Sequence, residues 1–383
     1  MKLICLQNNL KHGLFVAGHI AGKNINLPIL SNILIKTEEG KIQIIATNLE
    51  MGIISAIRGK IEKEGCFTVN SKIISDYVGL LPNKKVSIEK KENSLIINCE
   101  NYKTKINGQS AEEFPLIPEV DKKNFYSANI SEFKEALSQA VFAVSTSESR
   151  IELSGVLFCF ENSALTMAAT DSYRLAEKKI SIKSNGEESK KIIVPAKTLQ
   201  ELLRILSSAP EMEGPDTGSE EIKFYISENQ ILFSCGPTEL VSRLIEGQYP
   251  DYEQIIPSNI KTKASISRAE FLRAVKAASL FSKTGINDVN LDFPAGKNSI
   301  IVSAISGQAG ENVTELSAGT SGSDNSIVIN YRYLLDGLNN MGSEFISIEL
   351  VDGNTPCILR PADPIKTGDK KQEYLYIIMP IKQ

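Results

Sequence analysis

The chain has no tryptophan and only two histidines in 383 residues. Those two, His12 and His19, fall on one expected helix with no carboxylate cluster beside them. A histidine-based metal site or general base therefore has almost nothing to build on. The six cysteines (Cys5, Cys66, Cys99, Cys159, Cys235, Cys357) form no C-x-x-C pair. Most sit in apolar or alternating runs, as buried free thiols do, which argues against a disulfide frame or a zinc site and for a reducing compartment. No apolar run approaches the ~18 residues that a membrane span needs. The opening Met1 to Asn9 turns polar too soon for a signal peptide, so a cytoplasmic protein is expected. Neither sign of charge dominates: 42 Lys and Arg stand against 46 Asp and Glu, for a net charge of −4. Taken alone, that balance argues mildly against nucleic-acid binding.

Catalytic signatures are missing too. No G-x-S-x-G or G-x-G-x-x-G occurs in a strand–turn–helix setting. Gly18 to Asn24 falls one residue short of a phosphate loop and lacks the hydroxyl after Lys23. No cofactor or metal is expected, and no catalytic residue.

What the chain does contain is a threefold repeat. Ser31 lies over Ser154 and Thr47 over Thr170 at one common offset. Val69-Asn70-Ser71-Lys72 answers Val194-Pro195-Ala196-Lys197, and Ile329-Asn330-Tyr331-Arg332 answers both. Phe114-Pro115 and Tyr249-Pro250 close the first two copies. A period of about 125 residues is domain-sized, so three domains are expected, at 1–122, 123–258 and 259–383. Their joints fall near Pro118 to Lys123 and Pro257 to Lys263, where the chain is polar and proline-marked.

Each copy reads as an α+β unit of two helices packed on antiparallel sheets. The first helix of the second copy places Phe133, Ala136, Leu137, Ala140, Val141 and Val144 on one face. In the third, Ser267 and Glu270 have capping-box spacing. In the first, Gly13 and Gly18 interrupt a weaker pattern. Alternating runs follow as strands, then a second helix (71–81, 196–206, 331–341), then a hairpin such as the one turning at Lys91 to Ser94. Segments 211–219 and 359–373 read as loops. The six helical windows hold nine basic residues against six acidic ones. The rest of the chain is correspondingly acidic, as if a basic helical surface were set in an acidic protein. A surface whose charges carry no function fits the same count.

Asp, Tyr and Arg fall within four residues in Ala169-Thr170-Asp171-Ser172-Tyr173-Arg174. With no base and nucleophile nearby an enzyme site is disfavoured. An ordinary turn, or the rim of a protein-binding groove, fits better.

The repeat, this run, Leu27-Pro28-Ile29-Leu30-Ser31-Asn32, Gly247-Gln248-Tyr249-Pro250-Asp251-Tyr252 and Ile378-Met379-Pro380-Ile381 together resemble the bacterial DNA sliding clamps, the beta subunits of DNA polymerase III. The likeness covers essentially the whole chain. It implies a non-catalytic processivity factor in which two chains form a homodimeric ring around duplex DNA, without sequence specificity. Basic helices would line the hole with weak phosphate contacts, which removes the objection from net charge. It further implies partners, namely the polymerase III catalytic subunit, the clamp loader and other proteins carrying short clamp-binding peptides.

The positions matching the peptide groove are Leu153, Thr170, Tyr173, Arg174, Leu175, Pro250, Ile255, Ile377, Met379 and Pro380. Leu153, Leu175, Ile255 and Ile377 would serve a core equally well. Ser172 replaces the family's usual glycine, and Gln254 stands where a basic residue is common, which implies a shifted peptide preference. Ring closure would set Ile106 against Leu280 and Phe281, though the last two could equally be buried in their own domain. Lys23, Lys72, Arg150, Lys197, Arg273 and Lys276 are the positions expected to face DNA. A divergent clamp paralogue, or a peptide-binding scaffold that never encircles DNA, is the alternative.

Overall fold

One order of elements runs through the chain three times: strand, helix, five strands, helix, closing strands. The computed structural model describes all residues except 23–26, 148, 162, 187–188, 209–220, 363–365, 368–369, 372 and 383. The expected loop at 211–219 lies outside the described residues, and that at 359–373 lies partly outside them.

The first copy comprises β1 (Lys2–Leu6), α1 (Gln7–Gly18), β2 (Asn32–Glu38), β3 (Lys41–Thr47), β4 (Met51–Ile57), β5 (Gly59–Lys63), β6 (Gly65–Asn70), α2 (Ser71–Leu80), β7 (Lys85–Lys91), β8 (Ser94–Cys99) and β9 (Tyr102–Gln109). The second comprises β10 (Tyr126–Asn129), α3 (Ile130–Val141), β11 (Gly155–Glu161), β12 (Ala164–Thr170), β13 (Arg174–Ser181), β14 (Lys183–Ser184), β15 (Lys190–Pro195), α4 (Ala196–Ser208), β16 (Glu221–Ile226), β17 (Gln230–Cys235) and β18 (Thr238–Arg243). The third comprises β19 (Thr262–Ser267), α5 (Arg268–Ser279), β20 (Asp288–Phe293), β21 (Ser299–Ser306), β22 (Gly310–Ser317), β23 (Gly319–Gly322), β24 (Asn325–Asn330), α6 (Tyr331–Asn340), β25 (Phe345–Leu350), β26 (Cys357–Pro361), β27 (Lys366–Thr367), β28 (Lys370–Lys371) and β29 (Glu373–Ile378). Among the described residues the registered strand pairings, such as β1 with β7 and β13 with β29, are antiparallel.

The helices form where the apolar period puts one face inward. On α3, Phe133, Ala136, Leu137, Ala140 and Val141 are buried, and on α5 so are Phe271, Ala274, Val275 and Ala278. Each large side chain so buried contributes about 1.5–3 kcal/mol. Two helices start at an asparagine. The Asn70 and Asn330 side chains accept from the Ile73 and Arg332 N–H groups, satisfying donors that a first turn leaves open.

Three details differ from expectation. The capping box at the start of α5 is not made, because Ser267 accepts no hydrogen bond there. Gly13 does not interrupt α1. A Cβ at that position would sit 2.6 Å from Ile57 Cγ2, so the glycine lets the helix approach the sheet closely. Each copy also opens with a short strand, too brief to show a period of its own.

By contact the chain divides into two compact units, Met1–Ile130 with Ser184–Glu187 and Arg204–Leu244, and Ser131–Lys183 with Glu188–Leu203 and Ile245–Gln383. In the first unit, β18 pairs with β4, so strands of the second copy prolong the sheet of the first. In the second unit, β13 pairs with β29, giving a nine-stranded sheet in the order β15-β11-β12-β13-β29-β26-β25-β19-β23. A separate four-stranded sheet there runs β22-β21-β20-β24.

Candidate peptide groove and charged surfaces

The groove positions all belong to the second unit. Its centre is the turn between β12 and β13. Thr170 Oγ1 donates to the Arg174 carbonyl (2.6 Å) and accepts from the Ser172 N–H (3.1 Å). Asp171 Oδ1 accepts from the N–H groups of Tyr173 (2.9 Å) and Arg174 (3.0 Å). These bonds hold Ser172 at φ 78, in the left-handed region. The first copy builds the same turn from Thr47 and Asn48, with Leu49 at φ 77. The Thr-Asn and Thr-Asp pairs of the repeat are thus a recurring turn, since short polar side chains can satisfy backbone groups two or three residues on.

Arg174 leaves that turn fully engaged. Its Nε donates to Asp171 Oδ2 (3.0 Å), Nη1 to Asp336 Oδ2 and Nη2 to the Phe142 carbonyl (3.0 Å). The guanidinium carbon lies 5.5 Å from the Phe142 ring centroid and 4.8 Å from that of Tyr333. Burial opposes its charge, but Tyr376, Asp336 and Asp171 more than offset this and raise its pKa. Arg174 is therefore a fixed hub, ion-paired to Asp171 and Asp336. Beside it Tyr173 is 62% exposed and stacks on Tyr333, with centroids 6.3 Å apart. Tyr333, Asp336 and Phe142 escaped the sequence reading, because nothing local links them to residue 174.

The Met379 N–H donates to the Tyr173 carbonyl (2.8 Å), which extends the β13–β29 ladder and sets half-buried Met379 and Pro380 next to the turn. Leu153, Leu175 and Ile377 are each at most 1% exposed, so they are core and could form only the floor of a groove. Leu175 and Ile377 pack in a cluster with Leu157, Tyr252, Ile358 and Leu375. Ile255, by contrast, is 39% exposed. Pro250 lines a cavity of about 380 Å³ between the strand residues Leu157, Cys159, Lys191 and Ile193 and the segment 247–253. That segment is pinned by Tyr249, whose hydroxyl accepts from the Thr170 N–H (3.1 Å), and by Tyr252, whose hydroxyl donates to Glu177. Burial pushes both phenol pKa values up. Gln254 bonds to Asp251 (2.7 Å).

Of the positions expected to face DNA, Lys72 and Lys197 are exposed in the first turns of α2 and α4, and Arg332 takes the same place on α6. Arg273 and Lys276 are exposed on α5. Lys23 lies outside the described residues. Arg150 is not on an α-helix. It precedes the 3₁₀ turn Ile151–Ser154, and its side chain is bonded to Glu152 and Ser172. Of the positions assigned to ring closure, Leu280 is 75% exposed and Phe281 half-buried, but Ile106 is 6% exposed, already buried in its own copy.

Comparison with known proteins decides the family. Three models, for the N-terminal, central and C-terminal domains of the DNA polymerase III beta subunit, match residues 1–118, 128–251 and 253–381. The beta sliding clamp of Staphylococcus aureus (strain N315) is 30% identical over 345 residues, covering 88% of this chain and 89% of that one. The chain belongs to the bacterial beta sliding clamps. The crystal structure of the Bacillus subtilis sliding clamp matches with a TM-score of 0.90 at 28% identity, over 100% of this chain and 99% of that one. The Bartonella birtlesii clamp bound to griselimycin matches with a TM-score of 0.87 at 26% identity, over 100% of both chains. As in the rest of this family, the chain is a non-catalytic DNA sliding clamp built from three α+β clamp domains.

Proposed function

We propose that two copies of this clamp close head to tail into a ring around duplex DNA. On that ring, peptides of the replicative polymerase, the clamp loader and other DNA-processing proteins dock beside Tyr173. One observation carries the ring. Both internal joints use the same pair of strands, the one after the Thr-Asx turn and the last strand of the next copy, in the same register. Gly52 faces Val241 in the first joint, and Leu175 faces Ile377 in the second.

Each set of joint strands has one member without a counterpart, β22 after the corresponding turn of the third copy and β9 at the end of the first. Among the described residues β22 pairs on one side only, with β21, while β9 meets β6 only at Gly108 and Gln109. Carrying the internal register over sets Glu311 of one copy opposite Lys105 of the other, and Val313 opposite Lys103. The edges are complementary: β9 carries exposed Lys103 and Lys105, and β22 carries exposed Glu311 and Glu315. Opposite charges facing across a ladder favour this joint, and like charges disfavour pairing either edge with itself. Exposed Leu80 and Leu280 add apolar surface at the ends of α2 and α5. Two such heterologous joints close a dimer.

Basic residues support the DNA reading. Lys72, Lys197 and Arg332 each occupy a helix's first turn, where the helix dipole disfavours a cation by about 0.3–1 kcal/mol. A cost repeated in all three copies is accounted for if those residues meet phosphates. For the groove, Tyr173, Ile255, Met379 and Pro380 offer apolar surface beside the polar turn, as peptide anchors require. A scaffold that never encircles DNA would leave both complementary edges unused.

The test is retention on DNA after loading by a matched clamp loader with ATP. Stable retention on nicked circles with rapid loss from the same DNA linearised is expected. Equal retention on both would refute the ring.

A further inference from the structure

Resting on the groove reading, we infer that Arg150, Glu152 and Ser172 form a side-chain clasp at the groove's edge, and that it selects partner peptides carrying a carboxylate. Arg150 Nε donates to Glu152 Oε1 (3.0 Å), and Nη1 donates to Ser172 Oγ (3.2 Å). The clasp joins the residue before Leu153 to the residue between Asp171 and Tyr173. The segment that carries Tyr249 runs beside it: a Cβ on Gly247 would lie 3.7 Å from Glu152 Cβ, and the Tyr249 hydroxyl accepts from the Thr170 N–H.

The first copy serves as an internal control. Leu27 holds the place of Arg150, with φ −133 and ψ 78 against −130 and 81. Leu49 holds the place of Ser172, with φ 77 against 78. Ile29 holds the place of Glu152. Three backbone positions of matching conformation are thus all apolar in the first copy and all polar, joined by hydrogen bonds, in the second. Since Leu27 and Leu49 occupy this backbone, the fold itself does not ask for the polar set. It occurs in the copy that carries the groove.

The chemistry of the clasp points to its ligand. Arg150 is 49% exposed, and its two bonds among the described residues use two of five guanidinium N–H groups. The glutamate is held through Nε alone, which leaves donors for a second carboxylate. A guanidinium held in place at an apolar rim loses little entropy when it binds one, and its fork matches carboxylate geometry. An incoming Asp or Glu flanking the apolar anchors would join or displace Glu152. A neutral residue there gains nothing from the fork.

The test uses the full chain and fluorescent synthetic peptides with two apolar anchors. Asp and Asn are exchanged at each flanking position in turn. At one position wild type should favour Asp by about tenfold at low salt, the effect of one charge-assisted hydrogen bond. Arg150→Ala should abolish that preference while keeping affinity for the Asn peptide, and Arg150→Lys should keep part of it. Circular dichroism verifies that each variant is folded. A preference that survives Arg150→Ala, or equal binding of Asp and Asn peptides by wild type, would overturn the clasp and leave the groove standing. Failure of every peptide to bind wild type would overturn the groove, and the clasp with it.

Discussion

At residue 49 a leucine is held where glycine is at ease. Its φ of 77 comes from the Thr47 and Asn48 hydrogen bonds around it, and its side chain is 46% exposed, so little packing offsets the strain. Leu49→Gly should raise stability by up to about 1 kcal/mol, seen as a higher denaturant midpoint. His12 sets a pH dependence. Half-buried on α1, it has a pKa pushed below its ordinary 6.5 by burial. As pH falls through 6.5 the unfolded chain takes up the proton first, so the stability present above that value declines. Denaturant midpoints at about pH 7.5 and pH 5.5 should differ less for His12→Gln than for wild type. Glu152 is shifted in the same direction for a different reason, its charged form being favoured. Its own backbone N–H and Arg150 hold its pKa below 4.5, so the clasp persists above the carboxylate range and opens only in acid.

Among the elements, α6 approaches its sheet closely at a glycine. A Cβ on Gly337 would lie 2.3 Å from the Tyr376 ring, and Tyr376 is fully buried on β29. Gly337→Ala should therefore destabilise by about 1–3 kcal/mol in thermal or denaturant unfolding, as overpacking does, despite alanine's better helix propensity. It should also shift Asp336 relative to Arg174 and weaken peptide binding. Much at this scale was legible in the sequence. The six helices lie where apolar residues recur every three to four positions, and the β7–β8 hairpin lies where alternation stops at Lys91 and resumes at Leu95. The turn at Thr170 was visible because its chemistry is local. The environment of Arg174 was not, because Asp336 and Tyr333 reach it from another copy and no periodicity encodes that meeting. For Leu153, Leu175 and Ile377 the sequence left groove and core equally open, since an apolar residue reads alike on a groove wall and beneath it.

For the whole molecule, predictions concern charge. Lys105→Glu should shift light-scattering mass from dimer towards monomer, and adding Glu311→Lys should restore it. Failure of the double variant to recover would mean that the register at the joint differs from the internal one. Replacing Lys72, Lys197 and Arg332 together by glutamine removes their charge from both chains of the ring and should lower the salt dependence of DNA binding by up to about 5 in log–log slope. The same triple variant should be no less stable than wild type, because the cations oppose the helix dipoles.

Edges that complement one another, as β9 and β22 do, have a consequence beyond pairing. A strand that matched itself would stop at two chains by symmetry alone. A basic edge and an acidic edge can instead be joined without end, each added chain presenting the same two edges again. The count of chains is then fixed by the rotation from one chain to the next, which the turn within each domain and the angle at each joint set together. A substitution deep in any one domain that flattened that turn would leave every joint intact and yield a filament.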